Sequence, residues 1–123
     1  MKTLRLALTW IFALLMIAAG VNHIVRPQFY AAFIPDWLPL IAVNYLTGVI
    51  EAAIGAGLLF YSSRRAAAIA AVLLMVCFLP FHLVDTFKAH PAIGSVLLAW
   101  IRLPFQFVLI YWAWFLVPPA KAR

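Results

Sequence analysis

Polar and charged side chains interrupt runs of this 123-residue sequence that are otherwise apolar: His23, Glu51, His82, Asp85, Arg102 and Gln106. An acid, a base and two imidazoles in such places can pair with each other, hold the polar part of a ligand or move a proton. Each charge costs about 2.5–3.5 kcal/mol at the centre of a membrane helix. These six residues are therefore the candidates for function.

The runs that carry them are four apolar segments, at about residues 4–25, 40–62, 66–87 and 93–117. Each is close to the roughly 20 residues that a helix needs to cross a bilayer, and transmembrane strands would be about half as long. The chain is 68% hydrophobic with a mean hydropathy of +1.10. We therefore expect an all-α membrane protein, with residues 1–123 forming one four-transmembrane-helix bundle.

The connections between the segments predict how the bundle is arranged. The links "SSRR" and "KAHPA" are short, so neighbouring helices should be antiparallel. The longer link, residues 26–39, has three prolines and four aromatic residues. We interpret it as a partly helical interfacial segment on the extracytoplasmic side.

Basic residues predict the orientation. Two of them, Arg26 and Lys88, would lie on one side of the membrane, and the other side would carry Lys2, Arg5, Arg64, Arg65, Lys121 and Arg123. The positive-inside rule then places both termini in the cytoplasm. The first segment has some features of a signal peptide, but its apolar run continues past Gly20, so we expect it to be retained. The net charge of +6 follows from this topology and from anionic lipid, and not from nucleic-acid binding.

With this topology, Glu51 and Arg102 lie at matched depths, about 16 and about 15 Å from the outer surface at 1.5 Å per residue. We therefore predict a buried Glu51–Arg102 ion pair. Gln106 lies one turn inward of Arg102 on the same face. Pro104 lacks an N–H, which leaves a carbonyl near Trp100 without its helical donor.

Other polar residues predict how the cluster is completed. Asn44, Gly48, Glu51 and Gly55 form one stripe, whose glycines would let another helix approach closely. On the outer half, Asn22 and His23 end the first segment. Pro80 and His82 lie near the outer end of the third, where Asp85 could orient the His82 ring and raise its basicity.

Several interpretations of these residues stay open. Glu51 and Arg102 could be a structural clamp or part of a binding pocket. A metal site from His23, His82 and Glu51, or a haem held by the two histidines, is disfavoured because nothing in the spacing brings them together. Cys77 is the only cysteine, and no Gly-rich nucleotide loop is visible, so no cofactor or metal is predicted. Aromatic residues near the segment ends are interpreted as interface belts: Trp10, Tyr61, Trp112 and Trp114 inside, and Tyr30, Trp37 and Tyr45 outside.

Three stretches resemble, in order, motifs of the DoxX-like family of small bacterial membrane proteins. They are "GVNHIVRPQFYAAFIPDWLP", "LTGVIEAAIGAGLL" and "RLPFQFVLIYWAW". The sequence departs from the family pattern at Ile24, where phenylalanine is usual, and at His82, where many relatives carry asparagine. The resemblance implies four transmembrane helices in a bacterial inner membrane. It also implies a link to quinone-coupled oxidation, to oxidoreductase complexes or to chaperone-like roles.

The favoured function is that of an accessory or assembly protein, which would bind a quinone, a lipid or a partner helix in an outward-facing polar cavity. The alternative is a membrane subunit of a quinone-linked oxidoreductase, with quinone the possible cofactor. A channel or transporter is disfavoured, because four helices are few, no inverted repeat is visible and the inner half has few polar groups. Homodimerisation through the small-residue faces of segments two and three also remains open.

Overall fold

A computed structural model of the chain describes residues 1–120 and contains four long helices. These are α1 (Lys2–Val25), α2 (Leu40–Leu59), α3 (Arg64–Thr86) and α4 (Val96–Leu116). The link between α1 and α2 contains a 3-10 helix, Pro27–Phe33. The all-α, four-helix prediction is confirmed. Lys121 and Arg123, two of the basic residues predicted on the cytoplasmic side, lie outside the described residues.

Helix α2 ends three residues earlier than the apolar run indicates, because polar side chains take over its last carbonyl groups. The Ser63 hydroxyl donates to the carbonyl of Gly57 at 2.7 Å. The Arg64 guanidinium donates to the carbonyls of Leu58 at 2.9 Å and Leu59 at 3.1 Å. These bonds satisfy carbonyls that have no helical donor at a C-terminus, so the chain turns here and starts α3.

The helices run antiparallel in sequence order, so the bundle has two different ends. Arg65, at the start of α3, donates to the carbonyl of Pro118 just beyond α4. We call this end, which carries Lys2, Arg5, Arg64 and Arg65, the basic end. At the other end, Lys88 Nζ lies 3.5 Å from the carbonyl oxygen of Ala32. We call this the link end, because it carries residues 26–39 and the loop between α3 and α4.

Helices α1 and α2 pack backbone against backbone along a seam of glycines. A Cβ placed on Gly48 would lie 2.5 Å from the carbonyl oxygen of Gly20, and one on Gly55 would lie 2.6 Å from that of Ala13. No side chain fits at such distances, so glycine is required at both positions. The predicted stripe of Asn44, Gly48, Glu51 and Gly55 is therefore buried, and the helix it approaches is α1.

All four helices are long and apolar enough to cross a membrane. The outer surface of the bundle is formed by large apolar side chains, such as Leu14, Leu46, Leu73 and Leu97, all more than half exposed. Exposed apolar surface on this scale belongs in lipid, not in water. The chain is thus a multi-pass membrane protein. Its interior is packed mainly in the half towards the basic end, by Ala13, Leu58, Ala68, Ala71, Ala113 and Leu116.

Candidate functional site

A cavity of about 700 Å³ lies between the four helices and is roofed by the link between α1 and α2. Its polar lining comes from the half towards the link end: His23, Tyr30, Asn44, Thr47, Glu51, His82 and Arg102. The apolar lining includes Phe12, Leu15, Met16, Ala19, Met75, Phe78, Phe105, Leu109 and Trp112. Four of the five residues predicted as a polar cluster therefore line one cavity, and the fifth, Gln106, is not among its lining residues.

His23 is held at the cavity wall by Asn44. The Asn44 amide nitrogen donates to the carbonyls of Leu40 at 2.9 Å and Pro27 at 3.3 Å, which assigns the amide oxygen as the atom that faces His23. That oxygen lies 2.7 Å from His23 Nδ1. Because an amide oxygen only accepts, the network assigns a proton to Nδ1. Asn44 thus fixes both the ring orientation and the tautomer of His23, and it joins α1, α2 and the link.

The other ring nitrogen of His23 faces Glu51, with Nε2 and Oε2 3.5 Å apart. With Nδ1 protonated, Nε2 of a neutral ring carries a lone pair, and two lone pairs repel. One proton between Nε2 and Oε2 removes this repulsion, whether it resides on the imidazole or on the carboxyl group. Together, His23 and Glu51 with that proton carry no net charge. Glu51 Oε2 has no hydrogen-bond partner in the described chain.

The predicted Glu51–Arg102 ion pair is wrong. Within residues 1–120, ion-pair contacts join His23 to Glu51 and Lys88 to Asp85, and none involves Arg102. The two residues line the same cavity, but their side chains do not form an ion pair. Arg102 Nη1 is buried without a hydrogen-bond partner among the described residues. The Arg102 guanidinium carbon lies 5.4 Å from the centre of the Phe105 ring.

Asp85 does not orient His82, contrary to the prediction. Its carboxylate accepts from the backbone N–H groups of Ala92 at 2.6 Å and Ile93 at 3.3 Å, and it lies 3.7 Å from Lys88 Nζ. Asp85 thus stabilises the loop that leads into α4, because two backbone N–H groups of that loop donate to its carboxylate. His82 instead lies edge-on to Phe33 of the link, with ring centres 5.8 Å apart.

Gln106 joins α3 to α4 and does not reach the cavity. Its Nε2 donates to the carbonyl of Met75 at 2.6 Å, and the side chain is fully buried. The neighbouring carbonyl of Val76 lacks its usual donor, because Pro80 lies inside α3 and has no N–H. Pro104 lies inside α4 as well. Of the predicted cluster, Gln106 is therefore the member that bonds a neighbouring helix without lining the cavity.

Two aromatic residues belong to the cavity although the sequence predicts them to be interface belts. The Tyr30 ring stacks on His23 with centres 3.6 Å apart, and its hydroxyl accepts from Asn22 at 2.7 Å. Trp112 lies edge-on to Phe12 at 5.2 Å, and its indole nitrogen is buried without a partner in the described chain. The density of aromatics in the link was the one available signal for Tyr30. Nothing in the sequence distinguishes Trp112 from its neighbours.

The cavity combines groups that can hold the polar part and the apolar part of one ligand. Within residues 1–120, no three His, Cys, Asp or Glu side chains come together in a way that could hold a metal ion. What the cavity offers is a guanidinium, an imidazole in contact with a carboxyl group, a stacked tyrosine and a long apolar wall.

Comparison with known proteins identifies a family for most of the chain. A family model described as a domain of unknown function (DUF8561) matches residues 12–117, which is most of the chain. No curated protein and no solved structure matches it.

Proposed function

We propose that this chain, which belongs to the DUF8561 family, is an accessory protein of the bacterial inner membrane that binds one amphipathic molecule in its cavity. The head group of the ligand would lie between Arg102, Glu51 and His23, and its chain would extend along the apolar wall towards Trp112. A quinone and a lipid both have this character. The proposal rests above all on one observation: the polar lining residues of a single cavity lie in its half towards the link end, and an apolar wall continues beyond them.

The charge of the polar part favours a head group that accepts hydrogen bonds. With one proton between them, His23 and Glu51 would be neutral as a pair, and the charge that remains would be that of Arg102. Its unpartnered Nη1 is a donor that a ligand carbonyl, ester or phosphate oxygen would satisfy. In a membrane interior such a bond replaces an unpaired charge, whose burial is costly. A purely hydrocarbon ligand would leave that cost in place.

The orientation follows the positive-inside rule. The basic end carries Lys2, Arg5, Arg64 and Arg65, against Arg26 and Lys88 at the link end. Both termini would then be cytoplasmic, and the link would cover the cavity at the extracytoplasmic surface. Tyr30 and Phe33 contact His23 and His82 from this link, so the roof and the polar lining would act together in closing over a head group.

The test is to identify what the protein carries out of the membrane. Wild type, Arg102→Gln and Arg26→Gln are purified in mild detergent, and small molecules in each sample are quantified by mass spectrometry. Arg26 is exposed and lies outside the cavity, so it controls for the loss of one positive charge. We expect one quinone or lipid per chain in wild type and Arg26→Gln, and a reduction of at least about tenfold in Arg102→Gln, matching the strength of a charged hydrogen bond. Equal amounts in all three would refute the proposal.

A second candidate, a membrane subunit of a quinone-linked oxidoreductase, is favoured by the contact between His23 and Glu51, two groups that can bind and release protons. Reduction of a quinone consumes protons, and this pair lines the cavity where the ligand would bind. The electrons would come from a separate redox subunit. Purification under conditions that retain partners, followed by an absorption spectrum, separates the candidates: a co-purifying flavin, haem or iron–sulfur subunit supports the second, and a colourless single chain with bound ligand supports the first.

A further inference from the structure

We propose a second binding site, at the basic end, for the phosphate of an anionic phospholipid. It is a cleft of about 410 Å³ that shares no lining residue with the central cavity. Arg5 of α1 and Arg65 of α3 line it, together with Tyr111, Trp114 and Phe115 of α4. Three helices therefore meet here with two guanidinium groups and three aromatic rings.

The two arginines hold positions that leave donors for a ligand. Arg5 lies over the Phe115 ring, with the guanidinium carbon 5.1 Å from the ring centre. The N–H groups of a guanidinium lie in its own plane, where phosphate oxygens can accept from them. Arg65 donates to the carbonyl of Pro118 through one Nη, and a guanidinium has five N–H groups in all. Both side chains are thus anchored without being saturated.

No Asp or Glu side chain competes for these arginines. The three acidic residues of the chain are Asp36, Glu51 and Asp85. Asp36 lies in the link, Asp85 contacts the loop before α4, and Glu51 faces His23 in the central cavity. The neighbouring Arg64 is occupied by the last carbonyls of α2. The cleft is therefore a site of net positive charge formed by Arg5 and Arg65.

The aromatic wall identifies the anion as part of a lipid. Tyr111 and Trp114 are 68% and 65% exposed at the end of a membrane-spanning helix. Tyrosine and tryptophan prefer the depth of lipid head groups, with an apolar face towards the chains and a polar edge towards water. Basic pockets between helix ends bind such head groups. A phosphodiester in the cleft would leave its acyl chains against the apolar outer surface of α4.

The experiment counts bound lipid on the full chain by native mass spectrometry. Wild type, Arg5→Gln, Arg65→Gln and Arg26→Gln are delipidated and titrated with phosphatidylglycerol or with phosphatidylcholine, and a third series adds inorganic phosphate as competitor. We expect wild type and Arg26→Gln to prefer phosphatidylglycerol. Each cleft variant should lose about fivefold in affinity for it, the factor for one basic residue at an anionic surface.

Three results would overturn the proposal. One is unchanged phosphatidylglycerol affinity in both cleft variants, and another is an equal loss in Arg26→Gln, which would mean attraction by net charge alone. The third is displacement of the lipid by an equal concentration of inorganic phosphate, which would mean a site for a free anion. The central ligand, measured in each preparation before delipidation, should not change in Arg5→Gln, so failure of this site and failure of the central cavity are distinguishable. Circular dichroism confirms that each variant is folded.

Discussion

Helices α1 and α2 contact each other along one face and line the cavity along another, and the two faces are built in opposite ways. At the seam, Gly20, Gly48 and Gly55 bring the backbones so close that even one methyl group has no space. At the cavity, Ala19 and Thr47 from the same helices border about 700 Å³ of space. The same helix pair therefore provides both a close helix–helix contact and part of the wall of the binding site. Substitutions should have opposite consequences on the two faces.

The polar residues follow the same division. Asn44 and Gln106 are fully buried and each bonds a carbonyl of another element. Glu51 Oε2 and Arg102 Nη1 have no hydrogen-bond partner in the described chain. Residues that only clamp helices together have their donors used within the protein. The unused donor of Arg102, which lines the cavity, therefore favours a binding pocket over a clamp at this residue.

The largest effect should come from breaking the seam with Gly48→Leu. The Cβ alone would lie 2.5 Å from the carbonyl oxygen of Gly20 and 2.9 Å from Ile24 Cγ1, so α1 and α2 must separate. We expect a loss of about 3 kcal/mol in the free energy of unfolding, the upper part of the range for overpacked cores. Titration with SDS in mixed micelles, followed by circular dichroism, measures it. Unfolding within 0.5 kcal/mol of wild type, roughly the scale of a surface change, would contradict the seam.

A smaller loss in the free energy of unfolding is expected for Asn44→Leu, which removes the hydrogen bonds to His23, Leu40 and Pro27 together. Membrane hydrogen bonds contribute about 0.6 kcal/mol each on average, so the total should be about 1–2 kcal/mol. Because Asn44 also sets the tautomer of His23, ligand retention should fall in the same protein. The double variant with His23→Phe separates the effects: if Asn44 acts on the ligand through His23, it loses no more ligand than His23→Phe alone.

Gln106→Leu should lower the free energy of unfolding by less again, and it should leave ligand binding unchanged. It removes the bond to the carbonyl of Met75 but also the Gln106 oxygen, which is buried without a partner among the described residues. We expect about 0.6 kcal/mol of lost stability by SDS titration, with ligand content equal to wild type. A loss of ligand as large as that of Arg102→Gln would show that Gln106 belongs to the site after all.

The smallest change in stability should come from Ala19→Leu, the counterpart of Gly48→Leu on the cavity face of α1. The larger side chain has space to enter, so we expect unfolding within about 0.5 kcal/mol of wild type. The same side chain would occupy the volume of the ligand, and bound quinone or lipid should fall by at least about tenfold, a difference of 1.4 kcal/mol. A strongly destabilised Ala19→Leu would mean that the cavity is not open to occupation.

The sequence predicts more of the fold than of the site, for physical reasons. Apolar runs of about 20 residues have one solution in a bilayer, and the spacing from Asn44 to Gly55 places one stripe on one face. The position of a residue along its helix, however, gives its depth in the membrane and not its lateral distance from another helix. Glu51 and Arg102 therefore have similar predicted depths without forming an ion pair. The partner of Asp85 depended on how the loop after α3 folds, which brings the amides of Ala92 and Ile93 within reach.

The contribution of the link was the least predictable part of the site. Its prolines and aromatics indicate an interfacial segment, and a segment of this composition could lie flat on the membrane. In the structure Tyr30 stacks on His23 and Phe33 lies against His82, so the link forms a roof. That outcome depends on the carbonyl of Pro27 reaching Asn44 on another helix, a contact between distant parts of the chain that no local pattern reports.

A cryo-electron microscopy structure of the protein purified without delipidation tests most directly whether the central cavity binds one amphipathic molecule. We expect density for one elongated molecule, with its head group between Arg102 and the His23–Glu51 pair and its apolar chain along the wall towards Trp112. We also expect Arg102 and Glu51 to remain apart. A collapsed cavity in which Arg102 and Glu51 form a direct ion pair, with no density between them, would contradict this expectation and would identify the pair as a structural clamp.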